Sequence, residues 1–496
     1  MIKLYDSASA KVRPFSPVRE GEVSIYLCGA TVQGSPHIGH MRSALAFDVA
    51  VRWFLRSGFK VTYVRNVTDI DDKILAKSAE NGRPYWAHAL KYEREFAAAY
   101  RDLGTLPPTY EPRATGHISD QLELIDRLVE RGHAYADGNG NVYFAVASLP
   151  DYGSLTRQKI ADLATTEDDG QIDAATEAGK RDPRDFALWK AAKVGEPETA
   201  TWESPWGRGR PGWHLECSAM SHRYLGAEFD IHGGGIDLRF PHHENEQAQS
   251  HGAGYAFART WMHNAWVTIK GEKMSKSLGN SLIVANILES HAPAVVRFAL
   301  GTNHYRATVE YSAESLEAAA TVWERLSGFV TRAQEALGGD VLADIADERA
   351  ATWADWYAPG SSSAKLQSVP VPEKFAAALD EDLNVAGAMA VVHEYVKAGN
   401  DALTKGNLQD LRETTLAVRA MMDTLGVDPA GDQWGKGTTS DSSACALDVL
   451  VQGMVERRAQ ARADKNWALA DAIRDQLAAA GIVVEDGAAG ARWHLK

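Results

Sequence analysis

The stretch from Glu22 to Val67 constrains the fold more than any other part of the chain. It begins with an apolar run, "VSIYLC", and passes through a Gly/Ser/Pro-rich loop, "GATVQGSPHIGH". An amphipathic segment, "SALAFDVAVRWFL", then leads to a second apolar run, "KVTYVRNV" at residues 60–67. A helical crossover is the connection that parallel strands need, so this β-α-β order points to an α/β, doubly wound parallel sheet of Rossmann type. In such sheets ligands collect at the carboxyl ends of strands, beside helix N-termini. The loop after the first run carries His37, Gly39 and His40 at that place, with Cys28 closing the strand. Taken alone, a His-x-x-His pair in a loop is more often a pair of surface groups than an anion site.

The rhythm breaks between about residues 115 and 210, where a helical stretch, a hairpin signal at "DGNGN" and an acidic run, "TTEDDGQIDAATEAG", follow one another. This span is expected to be a connective insertion within a catalytic domain covering 1–310. Strand patterns resume at "EFDIHGGG" and "TWMHNAWVTIK". Beyond residue 310 alanine-rich segments with apolar residues three and four apart predict a helical bundle over 311–425. Two Gly/Ser/Pro-rich breaks, 359–372 and 426–444, have the composition of linkers, and the second sets off a small C-terminal unit at 445–496.

With 496 residues the chain needs more than one core. Its 52 basic and 66 acidic residues give a net charge of -14, so a polyanionic partner would have to meet local basic patches. Cys28, Cys217 and Cys445 are too few and too scattered for a disulfide framework. The N-terminus lacks the pattern of a secretory leader, and no long apolar run spans a membrane. A cytoplasmic protein is expected.

Three constellations carry chemistry. "PHIGH" is the first. The second is "KGEKMSKSLGN", where Lys273 and Lys276 lie between Gly271 and Gly279, and two ammonium groups on a hinged loop suit a triphosphate losing pyrophosphate. By itself this stretch is more often a solvated basic loop than a phosphate site. The third joins Cys28, Cys217 in "WHLECSAM", and His242 with Glu246 in "HHENE". Thiolates, imidazole and carboxylate suit tetrahedral Zn²⁺, although spacing alone leaves His243 and Glu244 as competitors and buried inert cysteines as the commoner outcome.

Together, "HIGH" and "KMSKS" resemble the paired signature of class I aminoacyl-tRNA synthetases. The chain is similar nearly end to end to the cysteinyl-tRNA synthetase family, through "YLCGATVQGSPHIGH", "RNVTDIDDKI", "EPRATGHI", "GRPGWHLECSAM", "FDIHGGGIDLRFPHHENEQAQS", "KMSKSLGN" and "HYRATVEYS". Residues 337–372 and 426–444 fit the pattern poorly.

The resemblance implies ATP-dependent ligation of L-cysteine to cysteine tRNA through a cysteinyl-adenylate, with transfer to the terminal 2′-OH. It implies catalytic roles for His37, His40, Lys273 and Lys276, and ATP or adenylate contacts at Gly39, His232, Gly234, Asp237 and Lys276. Substrate cysteine would lie against Gly29, Thr31 and Trp213, and one Zn²⁺ would be held by Cys28, Cys217, His242 and Glu246. The substrate thiol is expected to join the metal in place of a water or of Glu246. Mg²⁺ would accompany ATP. Arg462, Trp467 and Asp471 are the expected anticodon contacts, and the chain is expected to act as a monomer. "TDIDD" is expected to cap the helix that follows it. The alternative on the same scaffold is a ligase joining cysteine to an amino-sugar, as in mycothiol biosynthesis, which usually lacks the C-terminal unit. A non-catalytic RNA-binding paralogue would have lost the nucleotide motifs.

Overall fold

The computed structural model describes residues 1–163, 165, 177–269, 272–273, 282–347, 351–434, 438–487 and 490–495. For 161, 272–273, 438–449, 483, 485–487 and 490–495 only the backbone is described. The described residues form two compact units, Met1–Gly431 and Asp432–Lys496.

The first unit opens with a hairpin of β1 (Lys3–Asp6) and β2 (Lys11–Pro14). The predicted parallel sheet follows: β3 (Glu22–Leu27), β4 (Lys60–Arg65), β9 (Glu228–Gly235) and β10 (Phe257–Asn264). They lie in the order β10-β9-β3-β4, all parallel. Strands β3 and β4 are joined through α1 (Ile38–Arg56), and Gly58, at φ 86°, lets the chain turn from that helix into β4. Strand order reverses between β3 and β9, which makes the end of β3 the switch point where a ligand crevice opens.

Helices α2 (Asp72–Glu80) and α3 (Tyr85–Asp102) come next, and Asp71 caps α2 by accepting from the Lys73 N–H at 2.7 Å, as "TDIDD" predicted. The insertion holds α4 (Ile118–Glu130) and an antiparallel sheet of β5 (Ala134–Ala136), β6 (Val142–Phe144), β7 (Phe186–Ala191) and β8 (Gly209–Pro211). The hairpin at "DGNGN" is the β5–β6 turn. Most of the acidic run lies outside the described residues. Phe144, Phe186, Leu188 and Trp189 pack against Leu215, Ala219 and Ala248, so the insertion shares its core with α5 (Trp213–Leu225) and α6 (Glu244–Gly252). It thereby braces the two helices that bring Cys217 and Glu246 to the end of β3.

After β10 the chain breaks at Ala265–Trp266 and resumes as β11 (Val267–Ile269), paired with β12 (Glu272–Lys273) and β13 (Val309–Glu310). Helices α7 (Val284–Leu288) and α8 (Pro293–Gly301) intervene. The bundle contains α9 (Ala313–Leu337), α10 (Ser362–Gln367), α11 (Glu373–Asp380), α12 (Val385–Lys405) and α13 (Leu408–Thr424). Ser312 caps α9 and Gly338, in the left-handed region, ends it. Residues 359–372 are a correction to the linker expectation. Leu366 and Val369 are buried with Val341, Leu342 and Ala420, and Arg56 donates to the Leu366 and Val369 carbonyls at 3.0 Å. A few apolar side chains pin the segment despite its Gly/Ser/Pro content.

The bundle is tied to the parallel sheet by buried charge. Asp48 on α1 accepts from Arg52 Nε at 2.8 Å, from the Leu106 N–H at 2.6 Å and from Arg297 on α8. Arg297 also donates to the carbonyls of Leu103, Gly104 and Leu425. Burial pushes the Asp48 carboxyl up, but Arg52 and Arg297 outweigh it and hold the group below its ordinary range. The second unit contains α14 (Thr438–Ala463), α15 (Trp467–Ala479) and an antiparallel pair, β14 (Ile482–Gly487) and β15 (Gly490–Leu495). No described helix is long and apolar enough to cross a membrane.

Asp48→Ala strands two buried guanidinium groups and is expected to cost about 3–5 kcal/mol in urea unfolding at neutral pH. A carboxylate whose folded pKa is depressed stabilises above its unfolded pKa and loses that contribution as pH falls through the folded value. The gap between variant and parent should therefore narrow below about pH 4.

Candidate active site

The carboxyl end of β3 opens into a cavity of about 420 Å³. Cys28, Gly29, Thr31, His37, Gly39, His40, Arg65, Lys73, Trp213, Gly235 and Asp237 are among the residues on its walls. Gly29 is demanded by close packing, because a Cβ there would sit 1.6 Å from the Asn66 carbonyl oxygen. Its N–H donates to Asn66 Oδ1 at 2.8 Å, which stitches the end of β3 to that of β4.

His37 is the N-cap of α1, and its ring stacks on that of His40 with centroids 3.6 Å apart. The His37 N–H donates to His40 Nδ1 at 3.2 Å, so a neutral His40 carries its proton on Nε2. Lys273 lies in β12 by its backbone, while its side chain and all of Lys276 lie outside the described residues, as do the hinges Gly271 and Gly279. The chain returns beside the histidine loop: Ile38 donates to the Leu282 carbonyl at 3.1 Å and Val284 to that of Pro36 at 3.0 Å. The residues that follow the lysine signature are thus joined to the histidine loop by backbone hydrogen bonds.

At the cavity floor Cys28 meets, from behind the wall, Cys217 on α5, His242 in the turn just before α6 and Glu246 on α6, with their ligand atoms all within 4.8 Å of one another. Cys28 Sγ is 3.5 Å from Cys217 Sγ and 3.2 Å from Glu246 Oε1, and His242 Nε2 is 3.1 Å from the same oxygen. A zinc tetrahedron with ordinary bond lengths has edges of about 3.3–3.8 Å, so the donors already lie near the spacing such an ion needs. All four are buried. Burial, and then the neighbouring Cys217, raise the Cys28 thiol well above its usual range, and burial takes Cys217 up to about 11. Burial lowers His242 to about 4, leaving a neutral ring. Burial also opposes the Glu246 charge, yet His232 and His242 hold the carboxyl below its ordinary range. Two thiols, a neutral imidazole and an ionised carboxylate fit a divalent ion that would displace the thiol protons.

Outer contacts orient this set. His242 Nδ1 meets His214 Nδ1 at 2.9 Å, leaving Nε2 for the cluster, and its ring stacks on Trp213 with centroids 4.1 Å apart. His232 is fully buried, and its Nε2 meets Glu246 Oε2 at 2.7 Å. Its ring thus faces the cluster, not the cavity walls, where Asp237 stands. Gly234 also lies behind the wall, packed against Leu238 and His243. Of the two competitors, Glu244 is engaged elsewhere, accepting from Gly153 and Thr156. His243 Nδ1 meets His263 Nε2 at 2.8 Å, while its Nε2 stands 4.0 Å from Glu246 Oε1. His243 also stands in a second possible cluster with Cys28 and His232. Sequence reasoning missed His214, Asn66, Arg65 and Lys73. The last three stand in or beside "RNVTDIDDKI", where only the capping aspartates drew attention.

In the second unit Trp467 begins α15 with 58% of its surface exposed, so it is not a packed core residue. Asp471 pairs with Arg474 at 3.0 Å, and Arg462 lies near the end of α14.

Residues 14–321 match the model of the class I (C) tRNA synthetase catalytic domain, 374–427 the DALR domain, and 446–493 the cysteinyl-tRNA ligase anticodon binding domain. The cysteine–tRNA ligase of Beutenbergia cavernae is 57% identical over all of this chain and 99% of its own length. That of Streptomyces coelicolor is 53% identical over all of this chain and 75% of its own. Among solved structures, methionyl-tRNA synthetase of Mycobacterium tuberculosis with methionyl-adenylate has a TM-score of 0.55 at 15% identity, covering 82% of this chain and 90% of that one. At that identity the likeness speaks to fold alone. Domain models that cover most of the sequence, and relatives more than half identical from end to end, place this chain in the cysteinyl-tRNA ligase family of class I aminoacyl-tRNA synthetases.

Proposed function

We propose that this protein charges cysteine tRNA with L-cysteine in two steps, working in the cytoplasm as a monomer. In the first, a carboxylate oxygen of cysteine bonds to the α-phosphorus of ATP while the bridge to the β-phosphate breaks, releasing pyrophosphate. In the second, the terminal ribose 2′-OH of the tRNA attacks the acyl carbon, AMP leaves, and the hydroxyl proton is lost. The observation that carries the substrate choice is the buried quartet Cys28, Cys217, His242 and Glu246 at the end of β3. Zn²⁺ held there would supply a soft Lewis acid that favours sulfur over a hydroxyl.

Every other role falls to the chain itself. His232 and His214 keep Glu246 and His242 aimed at the cluster. Trp213, stacked on His242, walls the amino-acid side of the cavity together with Gly29 and Thr31. Gly39 and Asp237 shape the nucleotide side, with Gly234 behind the wall. His40, with its Nε2 proton, and His37 donate to the phosphates, and Lys273 and Lys276 neutralise the departing pyrophosphate, with Mg²⁺ accompanying ATP. The exposed Trp467 offers a face on which an anticodon base stacks, flanked by Arg462 and Asp471. The amino-sugar ligase is disfavoured by the C-terminal match at 446–493 and by full-length relatives named cysteine–tRNA ligase.

Cysteine-dependent exchange of pyrophosphate into ATP, and charging of cysteine tRNA with labelled cysteine, test the whole assignment. Exchange without charging would return the amino-sugar ligase. Lys276→Ala should slow exchange by about 10²–10³-fold with cysteine binding retained. Elemental analysis of the pure protein should find one zinc per chain, and Co²⁺ substitution should give thiolate charge-transfer absorption that Cys217→Ala removes; zinc-free, fully active protein would refute the metal. Trp467→Ala should raise the KM for tRNA about tenfold and leave pyrophosphate exchange untouched.

A further inference from the structure

The turn between α11 and α12 contains two successive non-glycine residues in the left-handed region, Asp382 at φ 56° and Leu383 at φ 52°. Both are almost wholly buried. Such backbone persists only where the surroundings impose it. Here the Asp382 N–H donates to the Lys3 carbonyl at 3.0 Å, and the carboxylate gathers four donors. Oδ1 accepts from the Tyr5 N–H at 2.8 Å and the Tyr305 hydroxyl at 2.6 Å. Oδ2 accepts from Arg306 Nε at 2.8 Å and from its terminal nitrogen at 2.5 Å, with His304 Nε2 at 3.5 Å. Apart from Tyr5, these partners belong to one segment, the "HYRATVEYS" motif, to which the proposed chemistry assigns no task.

That segment is the outer support of the nucleotide side of the cavity. The Tyr305 carbonyl accepts from the Ala265 N–H at 2.8 Å, and Val309 N–H donates to the Trp266 carbonyl at 3.0 Å. Strand β13 then runs parallel to β11, and the Tyr311 N–H reaches the Thr268 carbonyl at 2.8 Å. Ala265, Trp266 and Val267 are cavity wall, and β11 leads through β12 to Lys273. From the opposite side Arg42, two residues beyond His40 and 1% exposed, donates to the carbonyls of Leu300, Asn303, His304 and Ala307. The 300–307 segment is therefore clamped between the helix of the histidine signature and a buried carboxylate from the bundle.

We propose that Asp382 is a positioning residue for ATP, acting through Tyr305 and Arg306 to set the wall formed by Ala265–Val267 and the base of the lysine loop. It rests on the reading that this cavity binds ATP. Asp382 touches no substrate, so its effect should fall on the nucleotide and spare the cysteine, which lies on the β3 side. Asp382→Asn is the informative change, because asparagine tolerates the same backbone and nearly the same shape but cannot balance the Arg306 charge.

The test uses the full chain, with KM values from cysteine-dependent pyrophosphate exchange and direct ATP binding by calorimetry without cysteine. Asp382→Asn and Arg306→Met are each expected to weaken ATP about tenfold by either measure, with the KM for cysteine within about twofold of the parent. The double variant should be no worse than the poorer single one, since both remove the same link. A loss of thermal stability with ATP binding and KM unchanged, or equal damage to both substrates, would overturn the assignment and leave a purely structural node. If the parent binds ATP but performs no cysteine-dependent exchange, the function fails while the calorimetric comparison still decides the role of Asp382.

Discussion

Much of the molecule follows from one requirement: Cys28, on the last turn out of a parallel strand, must meet donors that lie 189 to 218 residues later in the chain. A strand end cannot supply a tetrahedral site by itself. The answer here is an insertion whose sheet shares its core with α5 and α6, so that Cys217 and Glu246 are delivered by packed helices. The floor of the cavity is thus as rigid as the core beneath it. An ionised carboxylate at Glu246 is costly to bury, and the structure offsets it with imidazoles on both oxygens, His242 on Oε1 and His232 on Oε2. Those rings stack on Trp213 and Trp261 in turn, which carries orientation outward by two layers.

The proposed reaction sets a second constraint, that the two signature loops would act on one triphosphate although 233 residues separate His40 from Lys273. Backbone bonds between Pro36–Ile38 and Leu282–Val284 fix the returning end of the lysine loop against the N-terminus of α1. The leaving end grows from β11, which β13 supports. Both ends of the segment that carries the two lysines are thus held by backbone bonds to the sheet side of the cavity. Below them, α1 is tied to α8 and to the end of the bundle through Asp48, Arg52 and Arg297. In a chain of net charge -14, some of the basic groups are spent in these buried ties. Attraction to RNA must then come from the remaining local groups, and it should be sensitive to salt.

What could be read from the sequence follows from how local each signal is. The β-α-β order around "HIGH", the hairpin at "DGNGN" and the cap at Asp71 are written in consecutive residues, and the structure has each of them. The donor quartet was only suggestive by spacing, because three distant segments supply it, and family likeness was needed to choose His242 over His243. The bond from His214 to His242, the seam at Asn66 and the buried placement of His232 have no periodic signature at all. They arise where the ends of β3, β4 and β9 meet one another and the helices α5 and α6. Residues 359–372 misled for the opposite reason: Gly, Ser and Pro dominate the composition, while Leu366 and Val369, which decide the packing, are a minority.

Discrimination at this site has to be chemical. Cysteine and serine differ by one atom, and a hydrophobic pocket rejects so small a difference weakly, by a few kcal/mol at best. The cavity walls bear this out in kind: Gly29, Thr31 and Trp213 can limit size but offer nothing that tells sulfur from oxygen. On the proposed reading the thiols of Cys28 and Cys217 would supply that distinction indirectly. Burial raises the pKa of both, so a strongly bound cation would be needed to hold them as thiolates, and a donor set of that kind would favour a third sulfur. Placing selectivity in the donor set removes the need for the pocket to be exact in shape, and the rest of the fold is left to hold ATP and tRNA against it.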